Sequence, residues 1–262
     1  MEFCVISPTV GLERYATLSK THLVLAHEYE RNHEYAKFYE RRKAEGDFII
    51  LDNGAYEGYT YWDDLAELAG RLKPDVIVLP DFYLQPWRKT WHAAIAWLDR
   101  LEFAVAHAEF LYIPQSVKGD PHGFMESYFE AVQDPRITWL GIPRCLATDI
   151  VGTPNARVEF AKMVKRDAPH VNIHAFGMVN GDVNELPGLA DAGVRSIDSS
   201  APVWRGWNGF HIDDKEGWDQ HGTPVDFNAR LPLSIQDPGL IKRGARQIID
   251  SNLEACGVNT RR

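Results

Sequence analysis

The stretch Asp47-Phe48-Ile49-Ile50-Leu51-Asp52-Asn53-Gly54-Ala55-Tyr56-Glu57-Gly58 decides how the rest of the chain is read. Phe48 to Leu51 is an apolar run bounded by polar residues and glycine, the pattern of a strand buried on both faces. The run stops at a carboxylate, Asp52, and a turn follows through Asn53 and Gly54. Parallel α/β folds deliver catalytic groups in this way, at the C-terminal ends of their strands. A single aspartate in such a place is more simply a turn former. The balance changes because the same arrangement recurs along the chain.

Working outward, further apolar runs fall at 2–6, 22–26, 76–80, 110–113, 137–142, 171–176 and 194–197, which with 48–51 makes eight. Helical patterns lie between them. Trp62, Leu65, Leu68 and Leu72 share a face behind a Thr60-x-x-Asp63 start that resembles a capping box. Trp87, Trp91, Ala94, Leu98 and Leu101 do the same, with Pro86 as a first helical residue. Thr153 and Pro154 open a helix carrying Val158, Ala161 and Val164. Strict strand–helix alternation implies parallel pairing, and eight strands close into a (β/α)8 TIM-type barrel. An open doubly wound sheet is the alternative, but no strand is followed by a Gly-x-Gly-x-x-Gly or Walker loop. The expected organisation is one barrel domain over 1–262, with a loop or extension at 206–235 and a closing helix at 236–256. The aromatic pairs Trp87/Trp91 and Phe124/Tyr128 read as helix faces packed on the barrel.

Composition narrows the class. The chain has 262 residues, 45 % of them hydrophobic and 25 % charged, as in an ordinary globular enzyme. No run is long enough to span a membrane, and we expect no signal peptide or membrane anchor. Three scattered cysteines, Cys4, Cys145 and Cys256, lack metal-ligand spacing and fit a reducing compartment. The expected location is the cytoplasm, that of the host if the chain is phage-encoded. A net charge of −9 speaks against tight non-specific binding to nucleic acid. Local basic tracks (Arg41-Arg42-Lys43, Arg88-Lys89, Lys242, Arg243 and Arg246) read first as solvated helix faces.

In a barrel the strand ends share one pocket. They bring Asp52, Asp81 and Asp198, the amide Gln115, and the aromatics Tyr56 and Phe176. Two carboxylates can run a displacement at an acetal-like carbon, one attacking and the other moving the proton. A third carboxylate and an amide can read the edge of a purine-like ring, with aromatics stacked on its faces. The set therefore fits a nucleobase attached to a sugar.

The ordered pieces Asp52-Asn53-Gly54-Ala55-Tyr56, Asp81, Gln115-Ser116, Gly141-Ile142, His174-Ala175-Phe176-Gly177 and Asp198, with Pro202 and Arg205 after it, resemble the tRNA-guanine transglycosylase superfamily. The likeness runs over roughly residues 47–206, and its specificity lies in the order and strand placement of short motifs. It implies that Asp198 is the nucleophile at C1′, Asp52 the general acid/base, and Asp81 the reader of the base's pairing edge. It further implies that Gln115 and the backbone around Gly141 bind the base, that Tyr56 and Phe176 sandwich it, and that Asn53, Gly54 and Arg205 complete the substrate site. The reaction would exchange guanine for a 7-deazaguanine such as 7-cyano-7-deazaguanine (preQ0), with no cofactor and no metal.

The tRNA enzymes of that family carry a zinc site of three cysteines and a histidine, which this sequence cannot supply. Asn53, Ala55 and Ser116 also replace the usual Ser, Gly and Gly. A compact chain without zinc is most similar to the DpdA-type DNA 7-deazaguanine transglycosylases of phages and bacterial modification clusters. DNA is therefore the expected polymer and tRNA the alternative, with a helper protein or a homodimer as partner. Two other readings stay open. One is a metal-dependent barrel hydrolase using His27 and His174 with the three aspartates. The other is a catalytically silent barrel that binds nucleic acid.

Overall fold

Eight parallel strands alternate with helices in the computed structural model, which describes residues 1–59, 62–179, 182–214, 225–227 and 240–261. The strands are β1 (Glu2–Val5), β2 (Thr21–Leu25), β3 (Phe48–Asp52), β4 (Val76–Val78), β5 (Glu109–Tyr112), β6 (Ile137–Ile142), β7 (Asn172–Ala175) and β8 (Ser196–Ser199). The helices begin with α1 (Leu12–Tyr15), α2 (Ala26–Arg31), α3 (His33–Ala44), α4 (Trp62–Leu72) and α5 (Trp87–Leu101). They continue with α6 (Pro121–Gln133), α7 (Ala156–Asp167), α8 (Glu185–Asp191), α9 (Ala201–Trp207) and α10 (Leu240–Ala255).

The sheet runs β1-β8-β7-β6-β5-β4-β3-β2, so every strand neighbours the next in sequence and β8 returns to β1. At the seam β1 packs against β2. This is the (β/α)8 barrel expected from the alternation. The strands are buried on both faces, which is why they read as unbroken apolar runs. Ile49, Ile50 and Leu51 of β3 are fully buried, worth about 1.5–3 kcal/mol each in area removed from water.

The helices lie where the apolar stripes place them, and their stripes face the barrel. Trp91 sets its ring edge-on to Tyr112 of β5, 5.7 Å between centroids. Phe124 and Tyr128 of α6 pack together on Phe160 of α7. One start differs from expectation. α7 begins at Ala156, with Asn155 rather than Thr153 at its cap and no side-chain cap bond there. Thr153 instead accepts the Ala156 N–H through its carbonyl. Thr60 of the expected capping box lies outside the described residues.

The C-terminal helix packs on α9 rather than on the first strand. A side chain at Gly206 would come within 2.5 Å of Ile249, so the two helices touch through a glycine. Asn252 ties them further, donating to the carbonyls of Pro202 and Phe210 and accepting the Ile212 N–H. Of the expected 206–235 extension, residues 206–207 finish α9, and only 208–214 and 225–227 of the remainder are described. Phe227 comes back over the barrel against His27 and Tyr35. Among the described residues no helix is long and apolar enough to cross a membrane.

Candidate active site

The C-terminal end of the barrel is built strand by strand. β3 delivers Asp52, whose Oδ2 accepts the Gly54 N–H at 3.0 Å. Gly54 holds φ +70°, and a side chain there would meet Tyr59 at 2.8 Å, so glycine is required on both counts. Asn53 turns inward. Its Nδ2 donates to the Leu79 carbonyl at 2.6 Å and to Asp81 Oδ1 at 2.8 Å. Asp81 follows β4 in the loop, and its Oδ2 accepts Gln115 Nε2 at 2.6 Å. Gln115 follows β5 and uses its Oε1 to accept the Leu84 N–H at 3.3 Å. Three consecutive strands are thus stitched by amide-to-carboxylate bonds, and Asp52, Asn53, Asp81 and Gln115 are all buried.

On the far side of the barrel, β8 presents Asp198. Its Oδ1 accepts the Gly177 N–H at 3.0 Å and faces His174 Nε2 at 3.2 Å. His174 Nδ1 meets Ser196 Oγ at 2.8 Å, one strand over. Both ring nitrogens of His174 therefore have side-chain partners. Among the described residues no group of three or more His, Cys, Asp or Glu is arranged to hold a metal ion.

Burial and neighbouring charge both act on these acids. Burial pushes the Asp52 carboxyl well above the carboxylate range; the charge of Glu57 adds to this, the Gly54 N–H opposes it, and Asp81 and Asp198 add more. Asp81 is raised to about 6 by burial, against the Asn53 and Gln115 bonds that favour its charge. Glu57 is raised to about 7 by desolvation and by the charge of Asp198, with Arg144 opposing. The Glu57 residue is exposed to water at the surface, but surrounding protein displaces part of the hydration of its carboxyl. Sequence reading passed over Glu57; its place in the turn directly after the β3 acid was the available signal.

The aromatic residues are placed differently from a ready-made sandwich. Tyr56 is 61 % exposed at the rim, bonded through its hydroxyl to Arg144 at 2.8 Å and edge-on to Tyr83. Phe176 lies inside, edge-on to His174 with ring centroids 4.7 Å apart. Gly141 sits within β6, in register with His174, and a side chain there would come within 2.6 Å of the Phe176 ring. The glycine therefore makes room for the phenyl ring. Arg205 is turned away from the role expected of it. Its Nε and Nη2 donate to the His211 carbonyl and Nη2 also to that of Asp214, which anchors the segment after α9.

The fold is a (β/α)8 barrel that carries a cluster of acids and amides at the C-terminal ends of its strands. No protein-family model matches the chain. Over 52 residues it is 35 % identical to isoleucine–tRNA ligase of Porphyromonas gingivalis, which is 20 % of this chain. The chain spans about 5 % of the length of that relative. Among solved structures, a protein described as a fructose-1,6-biphosphate aldolase from Coccidioides immitis superposes with a TM-score of 0.54. That match covers 98 % of this chain and 88 % of the other at 11 % identity, a likeness of fold. The metallated homocysteine methyltransferase MmuM from Escherichia coli reaches 0.41 at 11 % identity over 69 % of this chain and 74 % of its own, too low to carry an argument.

Proposed function

We propose that the protein is a base-exchange glycosyltransferase that replaces guanine in DNA by a 7-deazaguanine of the preQ0 type, through a covalent aspartyl-sugar intermediate. The observation that supports this reading is the placing of Asp52, Asp81 and Asp198 at the C-terminal end of the barrel strands, with Asp52 raised by burial first, then by the charge of Glu57 and those of the other two acids. Enzymes of this fold place their chemistry at this end of the barrel.

The residues divide the work by their surroundings. The Asp198 carboxylate, oriented by the Gly177 N–H and His174, attacks C1′ of an extruded nucleotide. The C1′–N9 bond breaks and its electron pair leaves with guanine. Asp52, held protonated by burial and by neighbouring acids, supplies the proton that the departing base takes up. The incoming 7-deazaguanine then loses its N9 proton to the Asp52 carboxylate, attacks C1′, and releases Asp198. No oxidant, reductant or strand cleavage is needed. Asp81, with Gln115 and Asn53 locked to it, offers acceptors to the pairing edge of the base. Arg144 and Tyr56 at the rim are suited to stack on a flanking nucleotide. Extruding the target nucleotide costs about a few kcal/mol.

The test is incubation with labelled guanine and labelled 7-cyano-7-deazaguanine in the presence of duplex DNA, single-stranded DNA or tRNA. Label entering DNA, and vanishing with Asp198→Ala and Asp52→Ala, is the expected result. Label entering tRNA alone would overturn the choice of DNA. An Asp198→Ala variant that behaves like wild type in every arm would overturn the chemistry.

A further inference from the structure

Arg157 has no place in the mechanism above, yet it is among the most buried residues of the chain. It stands in the first turn of α7, at the same end of the barrel as the acids, and is 0 % exposed. Its Nη1 donates to the Gly177 carbonyl at 2.8 Å and to Glu185 Oε1 at 3.1 Å. The same Glu185 oxygen accepts the Val179 N–H at 3.0 Å. Arg157 Nε and Nη2, and Glu185 Oε2, are buried without a hydrogen-bond partner.

As a device for stability this arrangement is poor. A buried ion pair rarely improves on well-packed apolar side chains, and orphaned donors add a desolvation penalty. The compensation lies at Gly177. This residue holds φ +62°, its N–H points at Asp198 Oδ1, and its carbonyl is gripped by Arg157. The two peptide groups flanking one Cα are thereby fixed, one by the arginine and the other on the carboxylate.

We propose that Arg157, braced by Glu185, is a positioning residue for the Asp198 carboxylate: it clamps Gly177 so that the N–H stays aimed at Oδ1. An ionised, fixed carboxylate is needed both as nucleophile and, in the second half of the exchange, as leaving group. A preorganised donor does this without reorganisation at the moment of reaction. The inference rests on the base-exchange reading for its kinetic consequences, but the clamp itself is a statement about Gly177, His174 and Asp198.

Two sets of measurements separate the proposal from that reading. In labelled-base exchange, Arg157→Met should lower kcat for both half-reactions by about 100-fold, of the order seen when one preorganised donor is lost. KM for the base should change less than about threefold, because Asp81 and Gln115 are untouched. The kcat loss should be partly restored in Arg157→Lys, which keeps a donor for the Gly177 carbonyl. Gly177→Ala, strained at a left-handed φ, should reproduce the kcat loss. Independently of activity, the 15N imidazole signals of His174 should change in Arg157→Met as its Asp198 partner shifts, and should keep their wild-type pattern in the distant control Phe103→Ala. If wild type exchanges no base in any polymer, the base-exchange reading fails while the His174 spectra still decide the clamp. An Arg157→Met protein with wild-type kcat and wild-type His174 signals overturns the positioning role.

Discussion

Two aspartates bracket one strand and are treated in opposite ways. Asp47 stands just before β3 and Asp52 ends it, and both are buried. Asp47 accepts Lys20 Nζ at 3.1 Å, His22 Nε2 at 2.8 Å and Arg42 Nε at 2.7 Å. Burial by itself would raise its carboxyl, but the bonds from His22, Lys20 and Arg42 together outweigh this and hold it below the usual range. Asp52 has one backbone N–H for compensation, and its charged neighbours are Glu57, Asp81 and Asp198. The N-terminal end of the barrel neutralises its buried charge; the C-terminal end concentrates it. That asymmetry separates a stabilising end from a reactive one.

The largest expected effect lies at the reactive end. Asp198→Ala should reduce base exchange per folded molecule at least about 1,000-fold. Asp47→Ala should leave exchange per folded molecule intact, measured as label incorporated against native protein. A catalytic defect in Asp47→Ala would erase the contrast.

Next comes stability at the paired end. Asp47→Ala strands Arg42 and His22 in the interior and should cost about 3–5 kcal/mol in urea unfolding. Asp52→Ala, which removes an uncompensated acid, should cost far less. Equal losses would show that the two ends are built alike.

Gly141→Ala should cost about 1–3 kcal/mol by driving a methyl group into the Phe176 ring. Phe176→Leu in the same chain should recover part of that loss, read as a double-mutant cycle of thermal or urea stability. No coupling between the two changes would remove the proposed reason for glycine within β6.

A subtler test uses pH. Asp81 has a folded value of about 6, above the value of roughly 4 for an unfolded aspartate. Folding therefore takes up a proton, and this contribution to stability is complete below about pH 4 and lost as pH rises through about 6. Asp47, being lowered, does the reverse: it stabilises above roughly pH 4, and that contribution is lost as pH falls through its folded value. Asp81→Asn should flatten the decline of unfolding free energy between about pH 4 and pH 6, followed by urea titration at each pH. Asp47→Asn should leave that window unchanged and flatten the acid side. The smallest effect is at the rim, where Tyr56→Ala should change stability by no more than about 0.5 kcal/mol while raising KM for the polymer.

Much of the barrel was legible because its strands are buried on both faces and each is delimited by turn residues. The 48–51 run became Phe48–Asp52 and the 137–142 run became Ile137–Ile142 unchanged. The acids stood out for the same reason, since each ends or follows a buried apolar run and the arrangement recurs. Side-chain partnerships were not. Arg42 looked like part of a solvated basic track and proved to be buried against Asp47. Arg205 looked like a substrate contact and anchors the segment after α9. Tyr56 and Phe176 were paired in expectation, yet one is at the rim and the other inside. Glu57 and Arg157 belong to no motif, and only their neighbours give them meaning.

By itself, the sequence determined the number of strands, their parallel order and the acids that end them, because periodicity and burial are written locally in the chain. Only the tertiary structure decided which charges are neutralised and which are left to raise one another. That outcome depends on distances between residues from different strands, and no local pattern of side chains encodes them.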